Sequence, residues 1–211
     1  MSGDLWGAKA VAGILTNFQY QFDLHRQRGT FPRFLQPDLY ATFTADCVRI
    51  ENTEGTVLEE LQDPSASLEG QTLQTEWSKL QLIYFVGYAI WNYLTVPFCF
   101  LMPGFEIEEL EPVQHGAQIL RRLSVIFPEG FARHTKQQNY YFGLDGLLVR
   151  IDYVAEPVTK ETVMAHYITE HNVFSGITVG TRQQIYVMNP DGGHTPDSML
   201  YALDVKGVVF S

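Results

Sequence analysis

Cysteine is nearly missing from this sequence: Cys47 and Cys99 are the only two. One sits in a strand-like run and the other in an apolar run, so they build neither a disulfide framework nor a ligand-spaced metal set. Two buried free thiols in a reducing compartment are expected instead. Positive charge is also scarce. Fourteen Lys and Arg against 24 Asp and Glu leave a formal charge of -10, which argues against nucleic acid as a partner, because phosphate binding needs cationic side chains. An anionic membrane surface would repel the chain as well. There is no Gly-x-Gly-x-x-Gly or Gly-x-x-x-x-Gly-Lys loop to cradle a nucleotide, and no Gly-x-Ser-x-Gly elbow to carry a nucleophile. No cofactor is therefore expected. The opening residues lack a basic segment followed by an apolar one, since Asp4 and Lys9 interrupt them, and a cytoplasmic location is the expectation. Repeats, low-complexity tracts and Pro-rich linkers are absent too, so residues 1–211 read as a single half-barrel domain.

Long uncharged runs are limited to one, from Leu80 to Phe105. Its length would suit a transmembrane helix. Gln81, Asn92, Thr95, Pro97, Pro103 and three tyrosines count against a membrane span, and a buried helix followed by a short strand accounts for the run better.

Aromatic residues are plentiful, at 13% of the chain. Segments rich in β-branched and aromatic residues, bounded by Gly, Pro, Asn or Asp, predict strands over 16–25, 39–51, 56–61, 105–110, 119–127, 136–142, 147–156, 163–171, 178–188 and 200–210. Gly-bearing loops at 52–55 and 144–146 close hairpins, and the longer 189–193 stretch is another reversal. With no long helices between them, these strands form an antiparallel meander. From Trp77 to about Val96 the period changes: Tyr84, Tyr88 and Trp91 recur at helical spacing while Leu80, Phe85, Ile90 and Leu94 cover other sides. A helix apolar nearly all round must be enclosed, and Pro97 stops it. The expected fold is mainly β, a strongly curved antiparallel sheet forming a half-barrel around a central aromatic helix.

Candidate chemistry concentrates on the carboxy-terminal strands, at His134, Arg150, Asp152, His166 and Arg182. A period of two puts Arg150 and Asp152 on one face of their strand, where they would orient a carboxylate or carbonyl, or form a solvated ion-pair ladder. A single histidine suits general acid or base work, since its ordinary pKa lies near neutrality. His166 and His171 are five apart and point to opposite faces of an unbroken strand, so no metal site is expected. The acidic run from Glu106 to Glu111 reads as a solvated strand edge. Tyr84, Tyr88 and Trp91 on the helix, with Tyr141, Tyr153, Tyr167 and Tyr186 on strands, are the candidate ligand-binding set. Their number exceeds what a tight core needs, and buried hydroxyls require partners.

From about Pro37 onward the sequence resembles an uncharacterised bacterial protein family. The blocks that carry the likeness are the helix 81–95, Phe127-Pro128-Glu129-Gly130 with His134, and Asp145-Gly146-Leu147-Leu148 with Arg150 and Asp152-Tyr153. Ala165-His166-Tyr167, Thr181-Arg182 and Pro190-Asp191-Gly192 complete them. The pattern is similar to the half-barrel fold of periplasmic lipoprotein carriers (LolA/LolB-like), which also includes a cytoplasmic enzyme of violacein biosynthesis (VioE-like). The amino terminus departs from the family pattern. Only Gly3-Asp4-Leu5-Trp6 stands where relatives carry a helix with a His-Gly-Gly element.

Two readings follow. In the first, an apolar or aromatic small molecule binds between the concave sheet and the helix, where acid/base groups and shape guide a cyclisation or rearrangement in secondary metabolism. In the second, the same cavity belongs to a non-catalytic carrier of a lipid-like ligand. An open sheet edge would also be available for a homodimer.

Overall fold

The computed structural model describes residues 1–210. The elements in chain order are α1 (Asp4–Ala8), β1 (Gln21–Phe22), β2 (Arg28–Pro32), β3 (Leu39–Thr44), β4 (Cys47–Asn52), β5 (Val57–Gln62), α2 (Lys79–Thr95), β6 (Glu106–His115), β7 (Gln118–Ile126), β8 (Gln137–Phe142), β9 (Leu148–Val154), β10 (Val163–Phe174), β11 (Ile177–Val187) and β12 (Met199–Asp204). Strands β1 to β5 form one antiparallel sheet and β6 to β12 another, each in sequence order. Within each sheet neighbours in sequence pair, as short hairpin connections require. Neither sheet closes on itself, and together they make a half-barrel around α2.

The expected single curved sheet is thus two sheets, with the helix-bearing segment between them in sequence. Local readings also change: the strand expected over 16–25 shortens to β1, and the short strand expected after the helix is a turn of 3-10 helix at Phe98–Leu101. The run from Leu39 to Glu51 is not one strand but the hairpin β3–β4, turned at Ala45–Asp46 with no glycine. There the Thr44 hydroxyl accepts a hydrogen bond from the Cys47 backbone N–H at 3.1 Å and closes the reversal. Strand β2 was hidden by Arg28, Gly29 and Pro32. Gly29 is needed because the Tyr20 ring lies where a β-carbon would stand.

Helix α2 starts at a capping box in which the Ser78 hydroxyl accepts from the Gln81 N–H and the Gln81 side chain accepts from the Ser78 N–H. Fourteen of its 17 residues are buried. One flank packs on β2, β3 and β4, and the other meets β11 and the tyrosines of the larger sheet. Gly87 makes the first approach possible: a β-carbon there would stand 2.5 Å from the Phe43 ring, and the Gly87 carbonyl accepts from the Tyr20 hydroxyl at 2.9 Å. No helix among the described residues is long and apolar enough to cross a membrane.

The amino-terminal residues lie over one end of the half-barrel. Ser2 bridges to Ala202, α1 rests on β12, and Trp6 packs against Phe85 and Tyr201. Lys9 is wholly enclosed. Its ammonium donates to the Thr72 carbonyl at 2.5 Å and stands 4.6 Å from the centre of the Trp77 ring.

Candidate functional site

Strand β9 divides the sequence candidates between two sheet faces. Ile151 and Tyr153 point toward α2, while Arg150 and Asp152 point away from it, as the period of two demands. The register extends the division to neighbouring strands: Ile151 pairs with Tyr140 and His166, whereas Arg150 pairs with Tyr141 and Tyr167. A ligand lying between α2 and the Arg150 side of the strand, the arrangement the sequence suggested, is not what the structure forms.

The inner face holds a closed polar network. His134 Nδ1 lies 3.1 Å from the Tyr88 hydroxyl and its Nε2 lies 2.7 Å from that of Tyr93. The Tyr93 hydroxyl is also 2.9 Å from the hydroxyls of both Tyr153 and Tyr201. Tyr153 stacks on His134 with centroids 4.3 Å apart and planes 8° from parallel. His166 holds the Gln183 side-chain oxygen at 2.9 Å through Nε2, while its Nδ1 is buried without a partner. Burial drives both histidines down to a pKa of about 3, with His166 adding to the effect on His134. They are neutral at any ordinary pH. Burial likewise lifts the Tyr201 hydroxyl to about 12 and pushes that of Tyr93 well above its ordinary value. Tyr84 and Tyr88 meet edge to face within this core, and Trp91 donates to the Asp23 carbonyl at 2.7 Å and packs on Phe131.

Open space lies at the end of this network. A groove of about 570 Å³ runs between the loop at 70–74, the β9–β10 connection at 158–162, and Met164, Val187 and Leu200. Leu73, Val158, Met164, Val187 and Leu200 make its apolar lining, with Gln71, Thr72, Thr159 and Thr162 among the polar groups around it. At its base Val158, Met164 and Leu200 are shared with a void of about 10 Å³ that touches Leu5, Phe85, His134, Tyr153 and Tyr201. The groove therefore ends at the aromatic network.

The outer face carries the ion pair. Arg150 donates from Nε and Nη2 to the two Asp152 oxygens at 2.6 and 3.0 Å, and from Nη1 to the Tyr167 hydroxyl at 3.1 Å. The Tyr141 hydroxyl donates to Asp152 at 2.8 Å. Burial first, and then the Asp152 charge, push Tyr141 up to about 12. Tyr186 reaches this face through His194, whose ring stands 4.0 Å from it and 4.7 Å from Tyr167. Arg182 lies apart, exposed, and pairs with Glu170 at 3.2 Å. His171 bonds the Leu148 carbonyl at 3.0 Å.

The sequence reading did not reach Tyr93 as the network's hub, nor Lys9 and His194. Tyr93 stood among the aromatic residues of the helix, and helical spacing alone could not separate it from them. The others depend on strand register or loop course, which no local pattern carries.

The class is thus a mainly β half-barrel wrapped on a buried aromatic helix, with a groove at one end. No family model matches the chain and no curated protein matches it. Among solved structures it is similar to a DUF1329 family protein from Desulfovibrio piger, at 10% identity and a TM-score of 0.42, over 89% of this chain and 68% of that one. It is also similar to an outer membrane lipoprotein-sorting protein domain from Vibrio parahaemolyticus, at 10% identity and a TM-score of 0.41, over 86% of this chain and 73% of that one.

Proposed function

We propose that this protein binds an apolar small molecule in the groove bounded by the 70–74 loop, the β9–β10 connection and Leu200, and that it acts as a carrier. The observation that carries this reading is the groove itself. Its volume of about 570 Å³ falls in the range of roughly 300–1,000 Å³ typical of small-molecule sites. Five aliphatic or thioether side chains line it, and its base is the apolar edge of the tyrosine–histidine network. Carriage is favoured over catalysis by the state of the two histidines. With pKa values near 3 and His134 held at both ring nitrogens, neither exchanges a proton readily near neutral pH.

The test is fluorescence titration with N-phenyl-1-naphthylamine, an uncharged apolar probe, alongside native mass spectrometry of the purified protein. The expected outcome is saturable one-to-one binding. Leu73→Arg and Leu200→Trp, at half-buried positions on the groove wall, should each weaken it by about tenfold or more, about 1.4 kcal/mol, with the thermal midpoint nearly unchanged. Absence of saturation, or affinity indifferent to both substitutions, would overturn the assignment.

A further inference from the structure

Lys9, Arg150 and Asp152 are the buried charged residues among those described. Arg150 and Asp152 neutralise each other in a two-pronged ion pair. Lys9 has no counter-ion among the described residues, although it is wholly enclosed in a chain of net charge -10. Its ammonium carries three N–H donors, and the protein acceptor that meets them is the Thr72 carbonyl at 2.5 Å. The Trp77 ring covers another side. Burial alone depresses its proton affinity, with no neighbouring charge contributing. A charge enclosed in this way is costly to a fold unless something opposite in sign comes near it.

The position of the cation gives that cost a purpose. The Lys9 backbone carbonyl accepts from the Trp77 N–H at 2.9 Å, and the Trp77 indole donates to the Gln71 side-chain oxygen at 2.5 Å. These bonds hold the segment from Gln71 to Trp77 over the lysine. Residues 70–74 are at the same time one wall of the groove. The ammonium therefore stands one peptide unit behind that wall, bonded to the carbonyl of a residue that lines it. A charge set there is screened by protein rather than by bulk water, so it acts on the groove more strongly than an exposed lysine would. The lining's own charges are Lys160 and Glu161, adjacent, exposed and unpaired among the described residues, so they nearly cancel. Glu69 and Glu76 flank the loop, exposed, and do not line the groove.

We propose that the groove takes an aliphatic carboxylate, with its chain along Leu73, Met164, Val187 and Leu200 and its carboxylate at the Thr72 end, where Lys9 selects for negative charge through the wall. The inference rests on the groove reading above and adds a headgroup to the ligand. Lys9 is a specificity-determining residue that needs no contact with the ligand: its charge favours an anion at the Thr72 end, and the bound anion offsets the cost of the enclosed cation.

The probes are decanoate and decan-1-ol, equal in chain length, each used to displace N-phenyl-1-naphthylamine from the whole protein at neutral pH. Decanoate should bind at least about tenfold more tightly. In Lys9→Met decanoate should lose about tenfold, while decan-1-ol and N-phenyl-1-naphthylamine keep their affinities and so show the groove intact. Lys160→Gln, at an exposed rim position, should cost decanoate no more than about threefold. The coupling is reciprocal, so the titration midpoint of the Lys9 Cε resonance, followed by NMR with isotope-labelled lysine, should rise by about one pH unit with decanoate bound and stay in place with decan-1-ol. Unchanged decanoate affinity in Lys9→Met, equal loss of decanoate and decan-1-ol there, or a loss confined to Lys160→Gln overturns the role of Lys9. Decan-1-ol binding as tightly as decanoate overturns the acid class and leaves the groove reading standing. Absence of saturation by N-phenyl-1-naphthylamine overturns the groove reading and this inference with it.

Discussion

At Lys9 a full cation is enclosed with no carboxylate beside it. Its partners are the Thr72 carbonyl and the Trp77 ring, and burial lowers its pKa from 10.5 to about 8. A folded-state pKa below the unfolded one means that the unfolded chain holds more protons between pH 8 and 10.5. The cation therefore destabilises the fold at neutral pH, and that penalty disappears as pH rises through this interval. Comparing the protein with Lys9→Met by urea denaturation isolates this residue from the tyrosines that titrate nearby. Relative to the variant, the wild-type chain should gain stability steadily from pH 8 to 10.5; a constant difference would show that Lys9 does not titrate there. At this scale the sequence was a partial guide. Arg150 with Asp152 was readable as a same-face pair because strand periodicity is local. The companionship of Arg150 with Tyr141 and Tyr167 needed the register, whereas its separation from Tyr153 follows from the period of two. Lys9 and His194 gave no signal, since a lone lysine near a helix end and a histidine in a polar loop are ordinarily exposed.

Among the elements, α2 was the most legible, because a run apolar on every side has few places to go and Pro97 stops it. Its glycine was not, since only the packing shows what Gly87 admits. Alanine there would gain about 1 kcal/mol in helix propensity, whereas overpacking a closed core costs about 1–3 kcal/mol. With the would-be β-carbon 2.5 Å from a Phe43 ring that is 1% exposed, the steric cost should win. Gly87→Ala is expected to be destabilising by up to about 2 kcal/mol. The loss should shrink in the background of Phe43→Leu, and a double-mutant cycle with no coupling would refute the account. The strands were legible where glycine marks the turns, as at 52–55 and 144–146. They were misread at Ala45–Asp46, where a threonine hydroxyl makes the reversal, and at β2, where arginine, glycine and proline mask an edge-like segment.

Over the whole molecule, the network around His134 and His166 sits where α2 meets the larger sheet, so its protonation state bears on global stability. Both imidazoles have folded pKa values near 3, against 6.5 when free. Their contribution is complete above pH 6.5 and is lost as pH falls toward 3, because the unfolded chain takes up two protons that the folded one refuses. Stability should begin to decline between pH 6.5 and 5, before most carboxylates titrate. Replacing His134 with Gln should reduce that slope by about one proton per molecule, about 1.4 kcal/mol per pH unit at most. A slope unchanged by the substitution would exclude His134 as its source.

Strand β10 makes one more demand on the chain. Met164 opens on the groove and His166 on the buried network, while Tyr167, one step along, joins Arg150 on the outer face. Burial from Met164 to Ile168 is therefore continuous rather than alternating. A slip of one residue would exchange the two faces wholesale, placing a tyrosine in the buried network and an imidazole on the outside. Evolution can trade side chains along this stretch of the gene, but it cannot readily insert or delete a codon there without exchanging the two faces at once.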